Sequence, residues 1–442
     1  NTFTITTGHQ LNLFTGPLYF LYKIVSTINL AKELKAAYPD YNFVPVYWMA
    51  TEDHDFEEIN YFNFKNKKIK WNKESHGPVG RLSTEGLENV FDVFSKELGI
   101  VDHAEYLRQL FKNAYLKQDN LADATRFLAN ELFREQGLVI VDSDNASLKK
   151  LFVPYLKKEL LEQYAFGKVT ETAGLLKSYM VQVNPREINL FYIEENLRER
   201  IVFENGKYIV NTTSRTFTES ELLTELESHP EKFSPNVIMR PLYQEVILPN
   251  LCYIGGGGEL AYWFELKSLF EASNVTFPIL LLRNSALIAT VKQAQKADNL
   301  QLSWSDLFTR QGELVTAKTK AFSEFTIDFT EQKNHLSQQF KNLMDMANRT
   351  DTSFYGAVKA QETKQVKGLE NLEKRLLKAE KRQHEEKLRR ITDLQNELFP
   401  NQSLQERFAN FSEFYLEFGP TLNDTLLKQL KPLEQEFSVL VL

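Results

Sequence analysis

Of 442 residues only one, Cys252, is cysteine, so the chain forms no internal disulfide and builds no cysteine-based zinc site. Such sparse cysteine fits a reducing compartment, and a cytoplasmic protein is expected. Long apolar runs are missing too: none approaches the ~18 residues that a bilayer-crossing helix needs, so no membrane attachment is expected. Excess positive charge is absent. Against 59 Asp+Glu stand 52 Lys+Arg, giving a net charge of −7 and a pI near 5.7, the wrong sign for a large nucleic-acid surface. Asn1–Thr7 lacks the basic start and apolar core of a signal peptide. With no initiator Met, further sequence upstream is expected. The rest, 43% hydrophobic and 25% charged, is ordinary globular composition for two to four domains.

What is present is an alternation of β-rich runs and helical periodicity. Phe3–Thr7 reads as a strand, and Thr15-Gly16-Pro17 opens a helix with proline in its first turn. Leu21, Ile24, Ile28, Ala31 and Leu34 repeat at helical spacing, and Phe43–Ala50 is a second apolar run. Strand, helix, strand is a βαβ unit. Residues 66–80 read as a hairpin and loop, with helices at about 84–98, 103–117 and 121–136. Leu138–Asp142, Leu251–Ile254 and Phe277–Leu282 supply three more core strands. This pattern predicts an α/β fold built on a Rossmann-type, doubly wound parallel sheet. Residues 1–144 form its first part, with a helical insertion near 66–136, and 145–235 a second insertion. Residues 236–325 return to the core. Residues 326–398 make an antiparallel coiled coil with a weak seam through Leu336, Leu343, Leu369, Leu372 and Leu376, and 399–442 form a C-terminal segment.

Four constellations could carry chemistry. Gly8-His9-Gln10, with Asn12, Thr15 and Gly16, lies at the carboxyl end of the first strand, the edge where open α/β sheets bind ligands. It suits a phosphate or a developing oxyanion, or else it is a strand-to-helix turn whose polar groups cap backbone. Glu52-Asp53-His54-Asp55 follows the second strand. It could hold an amine, act as a base or bind a metal, and equally could be the acidic start of a helix near Phe56. No metal is expected, because nothing else supplies matched His ligands. Gly255-Gly256-Gly257-Gly258-Glu259 lets backbone approach a ligand closely, without the Lys-Ser/Thr of a Walker motif. Arg240 and Gln244 precede that loop, Tyr262 and Trp263 follow it, and Arg283-Asn284 ends the fifth strand. Arg240 and Arg283 suit carboxylate or phosphate, whereas Tyr262 and Trp263 fit a helix core.

These segments, together with Leu13–Tyr19, Gly77–Gly80, Ser234–Gln244 and Ser403–Arg407, resemble the cysteine-adding enzymes of bacillithiol biosynthesis, the BshC family. The resemblance implies a core similar to class I aminoacyl-tRNA synthetases, with connecting-peptide insertions and a coiled coil. It implies a ligase that joins cysteine to glucosaminyl malate, with ATP as the activator if cysteine passes through an acyl-adenylate. Here His9 stands where the family commonly has Gln. A second synthetase signature is missing, Lys318 and Lys320 being the nearest candidates.

On this reading Gly8–Gln10 and Gly255–Gly258 stabilise phosphate and oxyanion charge. Glu52, Asp53 or Asp55 holds an ammonium group, and one of them or His54 takes the proton. Arg240 or Arg283 binds the malate carboxylates. A homodimer through the helical pair is expected. The rival is a non-catalytic, synthetase-like assembly protein that works through its coiled coil. An apolar, filled cleft would favour the rival; convergence of the polar groups in one open cleft favours the ligase.

Overall fold

The computed structural model describes residues 1–442. The chain divides into two compact units, Asn1–Leu287 with Gln405–Leu440, and Ile288–Leu404 with Val441–Leu442.

In the first unit, β1 (Thr2–His9) leads through α1 (Tyr19–Ala37) to β2 (Asn42–Met49) and the one-turn α2 (Phe56–Ile59). A hairpin of β3 (Tyr61–Phe64) and β4 (Lys67–Lys70) follows. It starts earlier than the sequence suggests, because Lys65 and Asn66 both take positive φ and close the two-residue turn. Helices α3 (Leu87–Leu98), α4 (Ala104–Tyr115) and α5 (Leu121–Phe133) lead to β5 (Val139–Asp142). Next come α6 (Ala146–Glu162), α7 (Tyr164–Leu175), β6 (Leu190–Glu194), β7 (Leu197–Glu204), β8 (Lys207–Val210), β9 (Thr216–Phe217), α8 (Glu219–Ser228) and β10 (Phe233–Pro235). The core resumes with α9 (Met239–Ile247), β11 (Asn250–Gly255), α10 (Gly257–Phe264), α11 (Lys267–Ala272) and β12 (Ile279–Leu282).

The five core strands form one parallel sheet, ordered β12-β11-β1-β2-β5, as the βαβ reading requires. Parallel sheets are buried on both faces, and alternate residues here go to opposite sides. Ile5, Cys252 and Ile254 pack with Leu30 and Ala31 of α1. Trp48 and Tyr253 pack on the other side with Phe152, Leu242 and Trp263 from α6, α9 and α10. Burial pushes the Cys252 thiol up to about 12, aided by nearby Glu245, which makes it an inert core residue. Within 145–235 lies a separate antiparallel sheet, ordered β10-β6-β7-β8-β9.

The second unit is helical: α12 (Val291–Asn299), α13 (Trp304–Leu307), α14 (Gln311–Phe322), α15 (Thr330–Ala347), α16 (Thr352–Gln383) and α17 (Glu385–Leu398). Helices α15 and α16 run antiparallel. Ala347 clusters with Val358 near the turn, and Lys333 meets Glu373 at 2.6 Å farther along. The apolar seam is Leu336, Phe340, Met344, Ala347 and Val358. Leu343 and Leu372, expected on it, are exposed. On α16 the inward slot falls one residue on, at Glu373, whose ion pair with Lys333 takes the place of a leucine contact. No helix is long and apolar enough to cross a membrane.

Candidate active site

The register of the sheet assembles the site. Gly8 pairs with Trp48, His9 with Met49, Met49 with Asp142, and Gly255 with Leu282, so the core strands end at one common edge. Beyond that edge lies a cleft of about 970 Å³, all of it within the first unit. It is lined by Gly8, His9, Gln10, Glu52, Asp53, His54, Asp55, Arg240, Gly256, Gly257, Gly258, Glu259, Tyr262 and Arg283. The loops after four different strands therefore do converge. Glycine is required at position 8, since a Cβ there would meet the Tyr253 hydroxyl at 2.9 Å.

The cleft floor is built from charges that answer one another. Lys23, on the first turns of α1, donates to the Gly8 carbonyl at 2.8 Å and pairs with Glu259 at 2.6 Å. The Glu259 carboxylate also accepts from the Gly256 N–H at 2.7 Å and so caps α10. That cap starts the helix at Gly257 rather than near Leu260, in spite of glycine's low helix propensity. Burial works against the Glu259 charge, but Lys23 and the Gly256 N–H hold its carboxyl below the ordinary value. Lys149, from α6, is buried between Glu52 at 2.7 Å and Asp144 at 2.9 Å. Burial raises the Glu52 pKa, and Lys149 only partly offsets that.

His9 belongs to this floor. Burial, with Lys23 nearby, pushes its imidazole down to about 3, so it is neutral at physiological pH. Its Nδ1 lies 2.8 Å from the Gln10 carbonyl oxygen. A carbonyl only accepts, so Nδ1 carries the proton and Nε2 keeps its lone pair. Nε2 is buried with no partner. His9 thus offers an acceptor, not the donor expected for a phosphate or oxyanion.

The acidic loop separates two neighbouring carboxylates. Asp53 accepts from Gln10 Nε2 at 2.9 Å and from the His54 N–H at 2.7 Å. Burial alone would raise its pKa, but His54, Gln10 and Arg198 more than offset this and hold it well below the ordinary range. Asp55 is exposed, and its pKa is raised by partial burial and by the Asp53 charge. The helix does start at Phe56, with Asp55 at its cap position and Glu57 and Glu58 in its first turn, but Asp55 makes no side-chain capping hydrogen bond. Asp53, His54 and Asp55 each offer a ligand atom within 4.8 Å of the others, the only arrangement here that could hold a metal.

Several expected site residues lie elsewhere. Asn12, Thr15 and Gly16 are turned into the fold: Asn12 donates to the Glu58 carbonyl, and Asn410 donates to the carbonyls of Phe14 and Gly16. Positive φ at Phe14, Thr15 and Gly16 turns this segment inward. Gln244 is buried, bonded to Arg240 and Glu245. Trp263 stacks on Tyr253 with ring centroids 4.2 Å apart, as a core residue. Gly255 is wedged against Leu260 and Tyr253. With the Gly256 N–H taken by Glu259, only Gly257 and Gly258 keep open backbone. Asn284 is buried on Ser26 and the Lys431 carbonyl. Arg283 reaches the cleft wall, but its guanidinium is held by Glu406 at 2.7 and 3.1 Å, leaving little for a substrate carboxylate. Lys318, the weak lysine candidate, pairs with Asp306 in the second unit.

Sequence reasoning missed much of the cleft. Lys23, and Lys149 that pairs with Glu52 of the lining, were hidden inside helices, and Arg186, Arg198 and Arg200 of the lining lie within 145–235. The readable signal was charge at core-facing helix positions: Lys23 adjoins Ile24, and Lys149 lies three residues before Phe152.

Two family profiles cover the chain. "Bacillithiol biosynthesis BshC, N-terminal Rossmann-like domain" matches residues 1–284, and the BshC "C-terminal coiled-coil domain" matches 286–442. A Flavobacterium johnsoniae protein named "Putative cysteine ligase BshC" is 68% identical over 100% of this chain and 84% of its own length. Proteins of the same name are 64% identical in Flavobacterium psychrophilum, over 99% of this chain and 83% of theirs, and 30% identical in Bacillus cytotoxicus, over 97% and 82%.

Proposed function

This chain belongs to the bacillithiol biosynthesis BshC family and acts as a cysteine ligase, and we propose that it forms an amide between the cysteine carboxyl group and the amine of glucosaminyl malate. The observation that carries this reading is the divergence of Asp53 and Asp55 at one cleft mouth. Two carboxylates whose environments push their pKa values apart divide the work between them. Asp53, permanently charged, anchors Gln10 and the loop. Asp55, accessible and less acidic, receives the ammonium group and takes one proton from it, so that the free amine can attack. The C–N bond forms, the bond from the acyl carbon to its leaving group breaks, and of the two protons the nitrogen loses one ends on Asp55 and the other leaves with the departing group or to solvent.

Arg240 faces the cleft with only neutral partners, Gln244 at 3.1 Å and Tyr262 at 3.4 Å, which suits it to a malate carboxylate. It takes the role that Arg283, held by Glu406, does not fill. ATP, as activator, supplies the anhydride cleavage that gives the cysteine carboxyl a leaving group. The open backbone at Gly257 and Gly258 and the unpaired guanidinium groups of Arg200 and Arg407 suit its phosphates. A charged cleft speaks against a purely structural protein. Exposed Leu343, Met346, Phe354 and Leu372 on α15 and α16 suit a homodimer through the helical unit.

The test is purified protein with cysteine and glucosaminyl malate, assayed for bacillithiol with and without ATP. Product in the complete mixture is expected, and none without ATP. No product under either condition would overturn the proposed reaction.

A further inference from the structure

Arg198 is the one cleft cation whose guanidinium meets a histidine ring. It stands on β7, in the sheet formed within 145–235, and its Nη1 lies 2.7 Å from His54 Nδ1. A guanidinium has donors and no acceptor, and it stays charged at physiological pH. The contact is therefore possible in one sense only: Arg198 donates, His54 Nδ1 accepts, and the ring proton sits on Nε2. The other candidate partner for Nδ1 is Asp53 Oδ1, at 3.7 Å. That is too long for a hydrogen bond, and the same oxygen already accepts from the His54 backbone N–H at 2.7 Å.

The arginine is itself held in place. Its Cζ lies 3.9 Å from the centre of the Phe191 ring on β6, the neighbouring strand, and the His54 ring lies 5.8 Å from the same ring. The carboxylates of Asp53, Glu52 and Asp55 surround it electrostatically. The His54 side chain remains 43% exposed at the cleft, so its far nitrogen is open to a ligand.

We propose that Arg198 is a positioning residue that fixes His54 in the Nε2–H form, so that His54 presents a hydrogen-bond donor to the reacting carbonyl instead of acting as a base. The proposal rests on the ligase reading for the identity of that carbonyl, but not for the tautomer. It removes His54 from the candidate bases and leaves Asp55. It also gives the cleft two histidines of opposite hydrogen-bonding polarity, since His9 is fixed with an accepting Nε2 by the Gln10 carbonyl. A donor aimed at the acyl oxygen stabilises the charge that develops there as the amine attacks.

Two measurements test it. The first needs no substrate: long-range ¹H–¹⁵N spectra of the full-length protein, with the His54 signals assigned by their loss in His54→Gln. At neutral pH Nδ1 is expected to resonate as an unprotonated nitrogen and Nε2 as a protonated one, with the preference lost in Arg198→Met and kept in Arg198→Lys. A protonated Nδ1 in the wild type, or a tautomer indifferent to Arg198→Met, overturns the proposal whatever the reaction proves to be. The second compares bacillithiol formation by His54→Gln and His54→Ala. The glutamine amide supplies an N–H near the Nε2 position and cannot serve as a base. His54→Gln is therefore expected to keep at least about tenfold more turnover than His54→Ala, from the share of a transition-state hydrogen bond. Equal loss in both variants, with the tautomer as predicted, overturns the donor role and leaves the ligase reading standing.

Discussion

The floor and the rim of the cleft are built from the same residue types and treat them in opposite ways. On the floor Lys23 faces Glu259, Lys149 faces Glu52 and Asp144, and Arg283 faces Glu406. On the rim His54 and Asp55 are exposed, and Arg186, Arg200 and Arg407 make no ion pair. A charge taken from water must be answered inside the protein, whereas a charge left at the mouth can be answered by a ligand. Charged residues of the floor therefore hold the loops in place, and those of the rim are the ones available for chemistry. At the cleft mouth Asp53, answered by Gln10 and the His54 N–H, and Asp55, exposed, repeat the contrast two positions apart.

The largest effect expected is on the floor. Lys149→Met leaves buried Glu52 without its cation, while Asp144 keeps Arg81, and should cost about 3–5 kcal/mol in denaturant unfolding. A loss below about 1 kcal/mol would mean that the floor network is not structural.

Acid should expose the floor next. The folded-state pKa of His9 lies below the ordinary 6.5, at about 3, so the unfolded chain takes up a proton that the folded one refuses. The stability associated with neutral His9 is complete above pH 6.5 and is lost as pH falls from there toward 3, by up to about 1.4 kcal/mol per pH unit. His9→Gln should flatten the acid side of the unfolding-midpoint profile over that window. Parallel profiles for the two proteins would contradict the assignment.

The contrast also explains what the sequence revealed. The five parallel strands, the common edge and the loops bearing Gly8–Gln10, Glu52–Asp55 and Gly256–Glu259 were legible, because apolar runs alternating with helices point to a doubly wound sheet. The partners were not. Glu52 and Asp55 look alike in a row of acids, and only the fold shows that Lys149 claims one and leaves the other. Arg283 carries no sign in its own segment of Glu406, 123 positions away. Thr15 and Gly16 looked like a phosphate turn until Asn410 claimed the carbonyls of Phe14 and Gly16.

The smallest stability effect belongs to the rim. Arg200→Ala should change the unfolding free energy by no more than about 0.5 kcal/mol while raising KM for a substrate, because no internal carboxylate loses its partner. An unfolding loss as large as that of Lys149→Met would erase the distinction between floor and rim.

The most direct test is Asp55→Asn, followed by bacillithiol formation and unfolding midpoint on the same preparation. The folded-state pKa of Asp55 is raised, so its ionised form is disfavoured by folding above the ordinary 3.8, and neutral asparagine should leave the midpoint unchanged or higher. Removal of a general base should cut turnover by about 100-fold or more. Unchanged stability with that loss is the predicted result; wild-type turnover in Asp55→Asn would contradict the account.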